Sequence, residues 1–481
     1  MKIVCIGGGP AGLYFATSMK LRDRDHDITV FERNPAGVTY GWGVVYWDDM
    51  LDNLNNNDSK SAREIRRNSA RWDDQEVHMW GKQTIRMGGY GFSMGRKRLL
   101  DILAKRAVDL GVEVQFECEV GGLSEFADAD LIVACDGVNS QVRQLYADHF
   151  RANVDAGKNK YIWLGTHKVF DAFTFAFEKT DAGWIWIHAY RFNSDTSTCI
   201  VECSPNTWRG LGFDKLGPDE SIALLEEIFE PYLDGHSLIK QGRYLDKMAW
   251  LNFRRITNET WHHDNIVLMG DAAHTTHFTI GSGTKLALED AIELAEKLHE
   301  HEDLQSALEA YEEKRRTALL KLQSEASNST QWFENIERYI DQEAMQFAYS
   351  LLNRRTQTKT TPEDATWYHQ LQLAMREIGA LIPAGESFIL VDEDSWWVDT
   401  GAGRRAIPFL ERDGHYWGPP PDDETAIREL ERLRGSGAGF MVFGWPAFWW
   451  LEYYAGLHRY VRSRYRCLLE NERLVVFDLR R

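Results

Sequence analysis

No apolar run reaches the roughly 18 residues needed to cross a bilayer, so the sequence offers no membrane span. Cysteine is scarce. Cys5, Cys118, Cys135, Cys199, Cys203 and Cys467 are all there are, and no two form a Cys-x-x-Cys pair. Cys199 and Cys203 are too few for a metal site, so no metal is expected, and Cys5 and Cys135 read as small core residues. Basic charge is in deficit: 55 Lys and Arg stand against 73 Asp and Glu, a formal charge of −18. That balance disfavours nucleic acid and anionic membrane as partners. Residues 60–71 and 96–98 are local basic clusters that suit an anionic ligand, or simply solvated helix faces. The first strand starts at Lys2, so no signal peptide is expected, and a reducing cytoplasm fits the thiols. What is present is ample core: 481 residues, 43% of them apolar, enough for two or three domains.

Three motifs follow one another along the chain. The first is the strand Lys2-Ile3-Val4-Cys5-Ile6 running into Gly7-Gly8-Gly9-Pro10-Ala11-Gly12. A Gly-x-Gly-x-x-Gly turn frees backbone N–H groups at a helix N-terminus, where a pyrophosphate can sit. Gly7 allows the turn, Gly9 the approach of phosphate, and Gly12 the packing of helix on strand. The strand Asp27-Ile28-Thr29-Val30-Phe31 then delivers Glu32, a carboxylate for a ribose diol. This fingerprint does not choose between FAD and NAD.

The other two motifs choose FAD. Asp136 and Gly137 end the apolar strand Asp130-Leu131-Ile132-Val133-Ala134, and Gly270 and Asp271 end Asn265-Ile266-Val267-Leu268-Met269. Ligands bind at the carboxyl ends of such strands, and Asp271 could reach ribityl hydroxyls. Gly281-Ser282-Gly283-Thr284 opens a helix over residues 285–299, whose dipole suits the pyrimidine edge of a flavin.

With these motifs the chain resembles the single-component flavoprotein aromatic hydroxylases, the para-hydroxybenzoate hydroxylase family. Within it the likeness is to salicylyl-CoA and anthraniloyl-CoA hydroxylases. It rests on Gly41-Trp42-Gly43-Val44-Val45, Gly91-Phe92-Ser93, Arg96, His188-Ala189-Tyr190, residues 197–202, His274 to Lys285 and residues 346–352, and spans about residues 1–355. Phe278 and Thr284 stand where the wider family has Pro and Asn. The resemblance implies that Gly7, Gly9, Gly12 and Glu32 hold the ADP half of FAD and that Arg96 contacts the cofactor. Asp136 and Gly137 would serve FAD and a visiting NADH or NADPH. Asp271 would take the ribityl chain, and Gly281 and Gly283 would line the isoalloxazine; Gly270 and Thr284 are further cofactor-binding candidates, although contacts of the usual Pro and Asn do not carry over to Phe278 and Thr284. A solvated helix charge is the competing reading of Arg96, and the surface reading is favoured for Arg143. Reduced FAD would react with O2 to a C4a-hydroperoxide that oxygenates an electron-rich ring. The protein excludes water and positions the ring; His188, Tyr190 and His277, with His274, are the acid–base candidates, although each His also reads as a packing residue.

Residues 161–170, 172–177, 183–191 and 196–203 alternate like strands of an antiparallel substrate sheet. Trp184, Trp186 and Phe192 would line its pocket or pack its far face. Gly183-Trp184-Ile185-Trp186-Ile187-His188 nearly matches the Gly-Trp-x-Trp-x-Ile-Pro signature of flavin halogenases, with Lys82 as a candidate halogenation lysine, but His188-Ala189 replaces Ile-Pro.

Residues 303–340, 341–352 and 367–382 read as helices with a Thr-rich break at 356–361. From residue 388 a small, mostly parallel α/β module is expected, with a helix at 423–435, a strand at 440–443, a helix at 446–462 and a hairpin at 466–479. This tail is unusual for the hydroxylases. Through Asp413-Gly414, Tyr416-Trp417-Gly418-Pro419, residues 426–431 and Phe448-Trp449-Trp450-Leu451 it resembles a module of bacterial glycosyltransferase polypeptides. Its aromatics suit packing better than a sugar platform.

The expected fold is therefore α/β: a Rossmann-like FAD-binding domain (1–160 and 245–300) with an inserted antiparallel sheet (161–244), helices 301–355, a linker or helix 356–386 and the module 387–481. The expected function is NAD(P)H- and O2-dependent hydroxylation of a small aromatic substrate carried as an aryl-CoA thioester or similar conjugate. An indole-type natural-product hydroxylase and a halogenase are the alternatives. A homodimer is left open.

Overall fold

In Lys2–Ile6 the apolar run Ile3 to Ile6 is buried and only Lys2 meets solvent, as befits a central parallel strand. It pairs in parallel with Asp27–Phe31 on one side and Leu131–Ala134 on the other. Glu113–Gln115 extends the first edge and Ile266–Leu268 the second, both in parallel. The computed structural model describes residues 1–240, 250–354, 362–393, 396, 403–412 and 415–480. The expected break at 356–361 and Asp413-Gly414 lie outside them. The described residues form two compact units, Met1–Thr84 with Gly89–Gln357 and Ile85–Gly88 with Thr358–Arg481.

In the first unit the helix Pro10–Arg22 packs between Arg96–Asp109 and Gly283–Glu300, and is buried almost throughout. A second sheet runs Asn153–Thr166, Ser197–Cys203, Gly183–Arg191 and Phe173–Thr180, each pair antiparallel. It is wider than the sequence implied. Gln75–Met79 joins parallel to Phe173–Thr180, and Leu251–Thr257 pairs with Asn153–Thr166. Both sit outside residues 161–244, because a strand whose partner lies far along the chain carries no local signal of its pairing. One face, with Ile185, Ile187, Ala189, Cys199 and Val201, is apolar and packs on the segment around Phe213, Leu225 and Phe229. The opposite face carries Trp186, His188, Tyr190 and Glu202, with the helix Leu304–Glu334 supplying Trp332 and Phe333.

In the second unit the order is Arg405–Pro408, Ser387–Val391, Ala438–Gly444, Leu474–Asp478, Arg466–Glu470. The first two junctions are parallel and the last two antiparallel, so the sheet is mixed. The reason is the tight turn between the last two strands, which leaves no room for a crossover. The helix expected at 446–462 divides into Trp449–Tyr453 and Ala455–Arg464. Trp450 and Tyr454 enter the core, while Trp449 and Tyr453 stay at the surface.

Candidate active site

A cleft of about 430 Å³ opens over the first turn, lined by Gly7 to Gly9, Glu32, Arg96, Cys118, Asp136 and Gly137. Its floor demands glycine. A Cβ on Gly7, at φ +119°, would lie 2.2 Å from the Cys135 carbonyl, and one on Gly12 would lie 2.2 Å from the Gly7 carbonyl. The Cβ position of Gly9 has open space instead. Glu32 accepts the Gly8 N–H at 2.8 Å. Asp136 Oδ2 accepts the Gln141 N–H at 2.7 Å, and its Oδ1 is buried without a partner among the described residues. Arg96 lines this cleft, with Nε donating to Thr39 Oγ1 at 3.1 Å. It is no ordinary solvated charge: burial lowers its pKa, opposed by Asp271. Asp271 is exposed, yet the protein around it desolvates its carboxyl and raises its pKa, opposed by Arg96.

Gly270 turns at φ +60° and donates its N–H to Asp290 Oδ2 at 3.0 Å. Asp290 also accepts from His274 Nε2 at 2.8 Å and Arg315 Nε at 2.7 Å. Burial works against this carboxylate, yet His274 and Arg315 hold its pKa down at about 2. His274 is thereby committed to bracing the Gly270 turn. Gly281, at φ +64°, lies against Val45 and Trp47, and the helix over Gly283–Glu300 begins at Gly283 with Thr284 half-buried behind it. Trp42 lies on Gly165, whose Cβ would come within 2.7 Å of the indole.

The polar face of the second sheet brings the remaining candidates together. Glu202 is almost fully buried. Its Oε2 accepts from Trp186 Nε1 at 3.1 Å and His188 Nε2 at 3.0 Å, and its Oε1 from Asn159 at 2.8 Å. Burial opposes the Glu202 charge, but His188, His277 and Asn159 outweigh it and keep the pKa below its ordinary value. Burial lowers the His188 pKa, partly offset by Glu202. His277 is pushed down to about 4 by burial, its Nδ1 sharing a hydrogen bond with Thr279 Oγ1 at 2.9 Å. Phe278 touches this group, its ring centroid 4.8 Å from Tyr161 and 5.7 Å from His188. Arg354, buried, donates to the Thr279 carbonyl at 2.7 Å and lies over Phe333. Tyr190 stands apart, donating to the Gly43 carbonyl at 2.8 Å, which makes it an anchor for the Gly-Trp-Gly loop.

Alternation did not decide which way the aromatics point. The structure sets Trp186 on the polar face beside Glu202, and packs Phe192 on Trp42 and Gly43. Arg143 overturns the surface reading: it is buried and donates to the carbonyls of Ala272 and Val138, tying two strand-end motifs together. Lys82 donates to the carbonyls of Ile340 and Gln342.

The family described as FAD binding domain matches residues 111–326. A salicyloyl-CoA 5-hydroxylase from Streptomyces sp is 35% identical over 474 residues, 92% of this chain and 90% of that protein. A 3-hydroxy-4-methyl-anthranilyl-[aryl-carrier protein] 5-monooxygenase from Streptosporangium sibiricum is 33% identical over 346 residues, 71% and 93% of the two chains. A protodeoxyviolaceinate monooxygenase from Chromobacterium violaceum is 30% identical over 366 residues, 76% and 97%. The tetrameric form of 2-methyl-3-hydroxypyridine-5-carboxylic acid oxygenase shares the fold, with TM-score 0.53 at 18% identity over 76% of this chain and 95% of that one. The chain belongs to the FAD-dependent aromatic monooxygenases. FAD is its cofactor, with NAD(P)H and O2 as the co-substrates of the family. The cleft fits FAD on its own chemistry: glycine-only floor, open space over Gly9, a helix N-terminus and the unpartnered Asp136 oxygen. A match over 92% of the chain runs into the second unit, so the tail, unusual for the hydroxylases, is shared at least in part with one of them.

No helix among the described residues is long and apolar enough to cross a membrane.

Proposed function

We propose that this enzyme hydroxylates a hydroxy- or aminobenzoyl ring delivered as a carrier thioester. The observation that carries the reading is the likeness to a salicyloyl-CoA hydroxylase through both units of the chain. The aryl-carrier-protein relative points the same way, since its ring too is attached to a carrier. Bound FAD, reduced by NAD(P)H, supplies the oxygen-activating chemistry. The chain's own residues bind, orient and shield. In this reading Gly7, Gly9, Gly12, Glu32 and Arg96 hold the ADP half. Asp136 and Gly137 stand where FAD and the nicotinamide meet, Asp271 takes the ribityl chain, and Gly281, Gly283 and Thr284 flank the ring system. Phe175, Phe278 and Phe333 pack around His188, an apolar layer that would keep water from a ring bound beside it. A cytoplasmic setting and a homodimer belong to the same proposal. A second reading, an indole-type substrate, has the protodeoxyviolaceinate enzyme in its favour. Halogenation is disfavoured, because the Lys82 ammonium is held by backbone carbonyls and His188 is bonded to Glu202.

The test is NAD(P)H oxidation by the flavin-loaded enzyme with salicylyl-CoA, anthraniloyl-CoA, the free acids and tryptophan-derived indoles. Stimulation with hydroxylated product by a CoA thioester supports the proposal. Stimulation by indoles alone transfers it to the second reading.

A further inference from the structure

The two basic stretches at 60–71 and 96–98 part company in the folded first unit. Arg96 turns into the FAD cleft. The other arginines gather where the helix Asp48–Arg67 runs into the edge strand Ala70–Trp72, which pairs with Gly91–Gly95. Arg98 Nε donates to Asn68 Oδ1 at 2.9 Å and so draws the second stretch against the first. Arg66 lies over the Phe92 ring at 5.6 Å and Arg71 over the Tyr90 ring at 4.9 Å, while Tyr90 meets Phe92 edge-on at 6.1 Å. Tyr90 is 44% exposed. Acidic residues neutralise only part of this group. Asp73 pairs with Arg71 and Glu64 with Arg98, all at the surface, and Asp48 accepts the Tyr90 hydroxyl. Arg66 and Arg67 are exposed and have no carboxylate partner among the described residues. A chain of net charge −18 repels a polyanion at long range, so a local cluster of guanidinium groups decides where one can land. Guanidinium groups around an exposed aromatic ring match a base that carries phosphates: the ring stacks on the base and the planar cations take phosphate oxygens. The strand Gly91–Gly95 sets the reach. Tyr90 stands at its start and Arg96, in the FAD cleft, just past its end, about 20 Å away along an extended chain. An extended pantetheine arm bridges a span of that order.

Resting on the carrier-thioester reading above, we infer that Arg66, Arg71 and Tyr90, flanked by Arg67 and Arg98, are the landing site for the 3′-phosphoadenosine diphosphate of coenzyme A, outside the FAD cleft. The adenine lies on the open part of the Tyr90 ring, and the phosphates take Arg66 and Arg71. A carrier protein spreads its acids over a helix and asks for a broad basic face; guanidinium groups gathered round one ring suit a compact nucleotide. No bond is made or broken at this site. It holds the handle while the aromatic end is free to reach the flavin.

The experiment uses FAD-loaded enzyme and two probes that carry the same ring, salicylyl-CoA and salicylyl-pantetheine, the second lacking the nucleotide. Binding of coenzyme A alone is measured beside turnover, by calorimetry. Wild type should show the lower KM for salicylyl-CoA. Arg66→Gln and Arg71→Gln should each raise that KM roughly 3-fold and together about 10-fold, the scale of exposed ion pairs, while kcat and the KM for salicylyl-pantetheine stay level. The Kd of coenzyme A should rise by the same factors, and added salt should narrow the gap between wild type and the double variant. Tyr90→Leu should weaken coenzyme A binding and Tyr90→Phe preserve it. Equal KM for the two probes in wild type, or variants that bind coenzyme A as tightly as wild type, overturns the inference and spares the substrate reading. A loss seen only with salicylate loaded on an acidic carrier protein overturns it in favour of a protein partner. Arginine-dependent binding of coenzyme A with no thioester hydroxylated supports the site and overturns the substrate reading alone; neither binding nor hydroxylation overturns both.

Discussion

The substitution Asp290→Asn probes the brace beneath the Gly270-Asp271 turn. Asp290 is fully buried, receives His274, Arg315 and the Gly270 N–H, and has its pKa held at about 2 against an ordinary 3.8. That gap alone corresponds to about 2 kcal/mol. Stripping the charge also leaves Arg315 with only Glu289, at 3.1 Å, as its remaining carboxylate. Breaking a buried pair costs about 3–5 kcal/mol, and the retained Glu289 argues for the lower end, about 3. In a unit of this size that is a fall in melting temperature of roughly 3–6 °C, scaling down from smaller domains. The assay is a thermal melt read by released flavin fluorescence, which reports unfolding and cofactor loss together. The sign of the pH dependence follows from a depressed carboxylate: its stabilisation is complete above the ordinary carboxylate range and is lost as pH falls toward about 2. The gap between wild type and variant should hence be level between about pH 8 and pH 5 and narrow only below about pH 4. A variant melting within a degree of wild type, or a gap that closes already between pH 8 and pH 5, refutes this account of the triad.

Gly12→Val should give colourless protein, because a Cβ there meets the Gly7 carbonyl at 2.2 Å and Cys135 Sγ at 2.7 Å; the flavin absorbance of purified protein reads this directly. Tyr190→Phe removes the bond to Gly43 and should cost about 1 kcal/mol by denaturant titration while leaving the acid limb of the pH–rate profile in place. Gly165→Ala drives a methyl to within 2.7 Å of the Trp42 indole and should cost about 1–3 kcal/mol with raised KM. Lys82→Gln should leave hydroxylation within about twofold and generate no halide dependence; an absolute need for Lys82 and bromide in product analysis would reinstate the halogenase reading.

The glycines and the strands that carry them were legible because each constraint is local. Gly7, Gly9 and Gly12 act within one turn, and Lys2–Ile6, Asp27–Phe31 and the helix Asp423–Gly435 fall where periodicity placed them. Asp290 was hidden for the opposite reason. Beside Glu289 in an amphipathic helix it reads as a solvated acid, and its partner Arg315 is 25 residues on. Glu202 looks like the polar position of a half-buried strand, yet Asn159, 43 residues away, closes over it. Arg143 was read as a surface residue and Arg354 overlooked for a like reason, since both are bound chiefly by backbone carbonyls, which no side-chain pattern announces. A faint signal did exist for Glu202: it shares the inward phase with Trp186 and His188 across the facing strand.

The first strand has a consequence for how the enzyme is made. Lys2–Ile6 is made before its partners, and on one flank it waits for Leu131–Ala134, which in turn waits for Ile266–Leu268. Contacts of such span are slow to close, and until they close a ready-to-pair edge is open to other chains. The loop from Gly270 to Gly283 emerges later still, so cofactor capture belongs to the end of synthesis. Nascent chains stopped before residue 283 should be flavin-free and prone to aggregate however much FAD surrounds them, and the yield of yellow enzyme in a producing cell should follow the rate of translation more closely than the supply of riboflavin.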